Sequence, residues 1–290
     1  MKFEGSIVAL ITPMNEQGDV DYQALTRLVE FHVENGTHGI VSVGTTGESA
    51  TLNVDEHMAV IEHTIKAVNG RLPVIAGTGA NSTQEAISWT AEAEKLGADG
   101  ALLVVPYYNK PTQEGLYQHF RAIADAVPIP QVLYNVPGRT VADMSNETVA
   151  RLASIENIVA CKDATGDVAR GKQLIDSCGD KINILSGDDP TALDLMKVGA
   201  KGDISVTANV APGLMSQMCS AALSGDFPKA EGLDQKLQLL HRDLFLESNP
   251  IPVKYAVSKL GFTANTLRLP LTPLSNHLES VVDAAIAAAV

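Results

Sequence analysis

A lysine closes the apolar run NIVACKDATG at residues 157–166, where Lys162 stands between Cys161 and Asp163. Apolar neighbours around its stem disfavour the ammonium and leave a free amine able to attack a carbonyl carbon. Taken alone, Lys162 has a plainer reading, as a strand-end lysine that reaches solvent or pairs with Asp163. A second run ends in QVLYNVPGR, and its Tyr134 occupies the level equivalent to Lys162. A phenol at that level can move protons on and off a carbinolamine, whereas a single tyrosine is more often a core residue with its hydroxyl satisfied. Thr45 or Thr46, with one of Tyr107 and Tyr108, would extend this group into a hydroxyl relay.

Two further segments carry groups suited to carboxylates. Gly44-Thr45-Thr46-Gly47 offers closely spaced backbone N–H groups where the chain leaves a strand, a nest for an anion or else an ordinary turn. It lacks the GxxxxGK[ST] spacing of a phosphate loop. Arg139 follows Pro137-Gly138 and presents a fork for a second carboxylate, or a surface ion pair. Asp188 and Asp189 after a later strand would repel a phosphate, which argues against a phosphate ester as substrate. The seven histidines form no HxH or HExxH cluster, so no metal site is expected, and no cofactor is required.

The elements that must hold these groups are legible as a repeat. Eight β-branched runs, SIVALIT, GIVSVG, PVIAGTG, GALLVVP, QVLYNVP, IVACKDA, INILSGD and GDISVTAN, each enter a loop and then a helix-period segment. Nearly continuous apolar strands are buried on both faces, as in a parallel sheet covered by helices. Eight such units predict an α/β fold, a closed (β/α)8 TIM barrel over residues 1–210, with the polar strand ends gathered at one mouth. Residues 211–290 read as the last barrel helix and a C-terminal helical extension, with Pro250 and Pro252 marking a break and a helical segment around Leu237–Leu246. A doubly wound sheet is disfavoured, because Gly77-Thr78-Gly79 has Ser82 where a dinucleotide fingerprint needs its third glycine. Between the second and third strands, Met58, Ile61, Ile65 and Val68 share one helical face, Asn53 with Glu56 forms a capping box, and Asn69-Gly70 is the stop.

Composition bounds the rest. The 290 residues are 45% hydrophobic and carry a formal net charge of -13, the wrong sign for a nucleic-acid surface. No apolar run is long enough to cross a membrane, and the N-terminal apolar stretch is too short for a signal peptide. Cys161, Cys178 and Cys219 are odd in number and widely spaced, as expected of a reduced cytoplasmic protein.

GTTGES at 44–49, YNVPGRT at 134–140, the Lys162 strand, SVTANVAP at 205–212 and NPIPVKYA at 249–256 together resemble the pyruvate-dependent Schiff-base lyase and synthase family over nearly the whole chain. The branch they most resemble condenses pyruvate with aspartate semialdehyde in lysine and diaminopimelate biosynthesis. The resemblance implies an imine between pyruvate and Lys162, with Tyr134 as the acid/base group. Thr45 and Tyr108 would complete a proton relay, Tyr108 coming from a neighbouring subunit of a homotetramer built as a dimer of dimers. The threonine pair, including Thr46, would hold the pyruvate carboxylate, Arg139 that of the semialdehyde, and Gly187 and Ile204 would line the site. Feedback inhibition by lysine would use Ser49, Ala50, His57, Asn81, Glu85 and Tyr107, although Val54 stands where strongly sensitive members carry a histidine. For Asn81 and Glu85, a simple helix start is the competing explanation. Sister activities on the same scaffold are N-acetylneuraminate lyase and 2-keto-3-deoxy sugar acid aldolase. Thr46 and Arg139 favour a short amino-acid aldehyde over a polyhydroxyl chain. A non-catalytic barrel that binds a carboxylic acid would have no need of an amine beside a proton relay.

Overall fold

The computed structural model describes residues 3–290. All eight expected runs form strands: β1 Gly5–Ala9, β2 Gly39–Ser42, β3 Val74–Gly77, β4 Gly100–Val104, β5 Gln131–Asn135, β6 Ile158–Asp163, β7 Asn183–Ser186 and β8 Gly202–Ser205. They pair in sequence order, and β8 pairs in parallel with β1, closing the barrel. Alternation decides which residues face inward. Ile7, Val41, Ile75, Leu102, Val132, Ala160, Leu185 and Ile204 pack together in the barrel interior. Val8, Ile40, Val74 and Ala76 point the other way, into the layer beneath the surrounding helices.

That pleat answers why Lys162 is found inside. Ala160 is an interior residue, so Lys162, two positions further on, shares its face at the C-terminal mouth of the barrel. Asp163 faces the opposite layer, accepts a hydrogen bond from the Thr165 amide at 3.1 Å, and makes no ion pair with Lys162. The plainer reading of the strand-end lysine is therefore not what the fold adopts. Tyr134 follows Val132 by the same step, and Tyr134 and Lys162 are direct register partners across β5 and β6.

The helix Val54–Val68 begins with the expected capping box of Asn53 and Glu56 and ends on Asn69 in the left-handed region. Its inward face is centred differently from the expected stripe. His57, Val60, Ile61, Thr64 and Val68 are buried, while Met58 and Ile65 are only partly so. Hydrophobic periodicity skips His57 and Thr64 because both are polar. They face inward because each is satisfied there, His57 by the Gly77 carbonyl and Thr64 by Val60 O and Ser42 Oγ.

Four helices follow β8: Pro212–Leu223, Phe227–Asp243, Ile251–Lys259 and Asn276–Ala289. The helix expected around Leu237–Leu246 starts ten residues earlier and stops at Asp243. Its first two turns are largely exposed and lack an apolar stripe, which hides them from a periodicity argument. These helices share one apolar core with the barrel, in which Leu237, Leu240, Val253, Val257 and Val282 pack with residues such as Leu25, Ile40 and Val210. Among the described residues no helix is long and apolar enough to cross a membrane.

Candidate active site

The barrel mouth opens into a cavity of about 730 Å³ whose wall includes Thr45, Tyr134, Arg139, Tyr107, Ser49 and Asn249. Lys162, level with Tyr134 on the neighbouring strand, is only 5% exposed. Its Nζ sits 4.4 Å from the centroid of the Tyr134 ring and makes no hydrogen bond or ion pair among the described residues. Gly187, after β7, is packed directly on the lysine stem: a Cβ there would lie 2.5 Å from Lys162 Cε and 2.9 Å from Cγ. Ile204 closes the floor from β8 as a buried interior residue. The tyrosine and the lysine are thus clamped by neighbouring strands, and the remaining space above them faces the cavity.

The loop from Val43 to Glu48 forms the facing wall and is strained at both ends. Val43 (φ 56°) and Glu48 (φ 58°) both adopt left-handed backbone conformations, which for a β-branched residue costs on the order of 1–3 kcal/mol. Tertiary contacts hold each end. The β3 backbone comes against Val43 so closely that a Cβ on Gly77 would lie 2.3 Å from Val43 O. Glu48 is buried against Lys254 at 2.6 Å, and its other oxygen accepts from the Arg268 amide at 3.3 Å. Lys254 Nζ also donates to Thr12 O at 2.5 Å, and Thr12 Oγ1 donates to Gly47 O at 2.7 Å. Burial pulls the Lys254 ammonium below its usual value, against the opposing attraction of Glu48. The amides of Thr45 and Thr46 donate to no acceptor among the described residues, so the loop offers the free N–H pair that a carboxylate nest requires.

Arg139 lies in the short helix Pro137–Thr140 after β5, and its guanidinium donates to Asn249 O at 3.1 Å. The Asn249 side chain in turn donates to Thr46 Oγ1 at 3.0 Å. Residue-type arguments did not single out Asn249, Glu48 or Lys254. The signal available was the NPIPVKYA stretch, which stands out as a motif but says nothing of what it touches across some 200 residues.

Other expected residues fall outside this cluster. Tyr108 is 88% exposed in a left-handed turn (φ 74°) and is not part of the cavity wall of its own chain. Tyr107 is on that wall, and burial together with the Glu85 charge pushes its phenol up from the usual value. Ser49 and Ala50 also line the cavity. Asn81 donates to Tyr107 O at 3.3 Å, whereas Ser82 caps the helix Thr83–Leu96 through the Glu85 amide, so these residues do form a helix start. His57 is buried, donates to Gly77 O at 2.7 Å and lies tilted against Trp89 with ring centroids 5.2 Å apart, and burial lowers its pKa.

Asp189 faces away from the mouth, contrary to the phosphate argument above. It is buried and accepts from Ser205 Oγ and from the amides of Val206 and Thr207 at 2.9 and 3.1 Å, fastening the end of β8. Asp188 accepts from Thr191 Oγ1 at 2.7 Å. The three cysteines are buried and unpaired, and burial pushes the Cys161 thiol well up.

Comparison with known proteins bears on this arrangement. The model of the dihydrodipicolinate synthetase family matches residues 2–289. A 4-hydroxy-tetrahydrodipicolinate synthase of Marinobacter nauticus is 61% identical, covering 98% of each chain. The solved structure of chloride-inhibited dihydrodipicolinate synthase from Acinetobacter baumannii complexed with pyruvate superposes with a TM-score of 0.98 at 57% identity, over 99% of this chain and 98% of that one. The lysine-bound enzyme of Cyanidioschyzon merolae gives 0.96 at 40% identity, over 100% and 99% of the two chains. A barrel closed in strand order, a lysine and tyrosine in register at its mouth, and similarity of this extent lead to one conclusion: the chain belongs to the dihydrodipicolinate synthetase family.

Proposed function

We infer that the chain condenses pyruvate with L-aspartate 4-semialdehyde to 4-hydroxy-tetrahydrodipicolinate, the reaction named for its relatives at about 60% identity. The observation that carries the mechanism is the Lys162 amine, unpaired among the described residues and 4.4 Å from the Tyr134 ring at the base of the cavity. Lys162 attacks C2 of pyruvate, and the carbinolamine loses water as Tyr134 supplies the proton. The resulting iminium acidifies the pyruvate methyl group, which loses a proton to give an enamine. Its terminal carbon then attacks the aldehyde carbon of the second substrate. The amino group of that substrate displaces Lys162 from the imine carbon, which closes the ring and frees the lysine.

The free amides of Thr45 and Thr46 suit the pyruvate carboxylate, and Arg139 at the cavity wall suits the carboxylate of the semialdehyde. Thr45 relays protons with Tyr134, and Tyr108, exposed in its own chain, completes the relay from a neighbouring subunit of a homotetramer. Lysine as a feedback inhibitor would bind beside Ser49, Ala50, His57, Asn81, Glu85 and Tyr107. Part of that set lines the same cavity as Thr45 and Tyr134, which supports communication between the two ligands. The buried, unpaired cysteines fit a cytoplasmic location.

The test is incubation with pyruvate and borohydride followed by peptide mass analysis. A reduced three-carbon adduct on Lys162, abolished in Lys162→Ala, is expected. A folded protein that condenses the two substrates yet never carries the adduct would exclude the imine route.

A further inference from the structure

We propose that Asn249, just ahead of the helix Ile251–Lys259 in the C-terminal helical extension, is a positioning residue that sets the Thr46 hydroxyl for the pyruvate carboxylate and ties it to the Arg139 subsite. This rests on the reading of Thr46 and Arg139 given above. Asn249 is 6% exposed and stands on the cavity wall. Its Nδ2 donates to Thr46 Oγ1 at 3.0 Å, in a buried bond spanning 203 positions. Its main-chain carbonyl accepts from Arg139 at 3.1 Å. One residue therefore touches both groups assigned to carboxylates, one through its side chain and one through its main chain.

The polarity of the side-chain bond matters more than its existence. A threonine hydroxyl has one proton to give and lone pairs to receive, and an amide nitrogen can only donate. With Asn249 Nδ2 occupying a lone pair of Thr46, the hydroxyl proton is left for an incoming carboxylate. An acceptor in the same place would take that proton and turn the hydroxyl away from the ligand. Asn249 Oδ1 is buried without a partner among the described residues, a desolvation cost that a side chain kept only as a packing anchor would not need.

The extension grips the same loop a second time. Lys254, five residues beyond Asn249, pairs with Glu48 in full burial. The loop that carries Thr45 and Thr46 is thus held at Thr46 and at Glu48 by one segment, residues 249–254. Loop position is transmitted from the extension to the barrel mouth, and the free hydroxyl proton is the part of it that bears on binding.

The experiment measures pyruvate half-saturation, by steady-state rate and by borohydride trapping at Lys162, in the full chain and in Asn249→Ala, Asn249→Asp, Thr46→Val and Asn249→Ala/Thr46→Val. Asn249→Ala is expected to raise the half-saturating pyruvate concentration about tenfold, with kcat at saturation within about threefold. The near-isosteric Asn249→Asp should raise it further, because it accepts the Thr46 proton and repels the carboxylate. In the Thr46→Val background Asn249→Ala should add nothing, since the bond through which it acts is gone. Unchanged pyruvate half-saturation in Asn249→Ala and Asn249→Asp, or full additivity with Thr46→Val, overturns the proposal while leaving the imine mechanism standing. No adduct in the unchanged protein would overturn both. If Asn249→Ala does not fold, the order of Asn249→Asp against Thr46→Val decides: Asp no worse than Val refutes a role for bond polarity.

Discussion

Gly187→Ala tests whether the nucleophile is held in place by its neighbours. A Cβ at this position would lie 2.5 Å from Lys162 Cε and 2.9 Å from Lys162 Cγ, with Ala164 Cβ also at 2.9 Å. Ordinary carbon contacts begin near 3.5 Å, so the lysine stem must give way by about 1 Å. The backbone at Gly187 is outside the left-handed region, so steric contact rather than torsional strain carries the effect. The lysine stem is flexible but Ala164 Cβ is fixed to its backbone, so the fold should survive at an overpacking cost of about 1–3 kcal/mol in denaturant unfolding. Catalysis should not. A misplacement of about 1 Å in a reacting group costs about 100-fold, equivalent to about 2.7 kcal/mol of transition-state stabilisation. The assay is kcat/KM in the coupled condensation, with the rate of borohydride-trapped adduct formation as the direct readout of imine chemistry. The adduct rate should fall together with kcat/KM, because the attacking nitrogen itself is displaced. A folded Gly187→Ala enzyme with kcat/KM and adduct rate within twofold of the parent would refute the packing argument.

Three further outcomes follow from the same geometry. Tyr134→Phe keeps the ring under the Lys162 amine and removes only the hydroxyl, so turnover should fall by about 100-fold or more with little change in stability; parental turnover would remove Tyr134 from proton transfer. Lys254→Met leaves Glu48 buried beside the loop without its cation and should cost about 3–5 kcal/mol in denaturant unfolding, part of it regained in Lys254→Met/Glu48→Gln; a double variant no better than the single one would contradict the pairing. His32 and His119 are held neutral by burial, with pKa values lowered to about 3 and about 4. Between these values and the ordinary 6.5 the unfolded chain binds protons that the folded chain refuses, so stability falls as pH drops below 6.5, by about 1.4 kcal/mol per pH unit for each group. Replacing His32 with Leu should flatten the stability slope between pH 6 and 4.5, measured by denaturant titration, and an unchanged slope would refute the assignment.

Much of the site was legible because strand ends in a barrel converge. Lys162 and Tyr134 stand near the ends of their apolar strands, Thr45 and Arg139 in the segments that follow β2 and β5, and a closed parallel sheet brings all such ends to one rim. What pattern reading misjudged were polar residues whose partners are remote in sequence. Asp189 looked like a mouth residue and is instead tied behind β8 by hydrogen bonds to residues 205–207. His57 and Thr64 were left out of the apolar stripe of Met58, Ile61, Ile65 and Val68 and are buried instead, each with a hydrogen-bond partner inside. Tyr108 matched a motif, yet within one chain its side chain points to solvent.

By itself the sequence determined the fold class, the strand order and which face of β6 carries Lys162, because alternation of period two is a local property that burial of one face enforces. Only the tertiary structure decided that the loop 43–48 is held in a strained shape by Glu48, Lys254 and Arg268, and that Asn249 joins Thr46 to Arg139. Those partners lie some 110–220 residues apart. No local pattern encodes such contacts; they exist because the C-terminal helices bury their apolar faces in a core shared with the barrel.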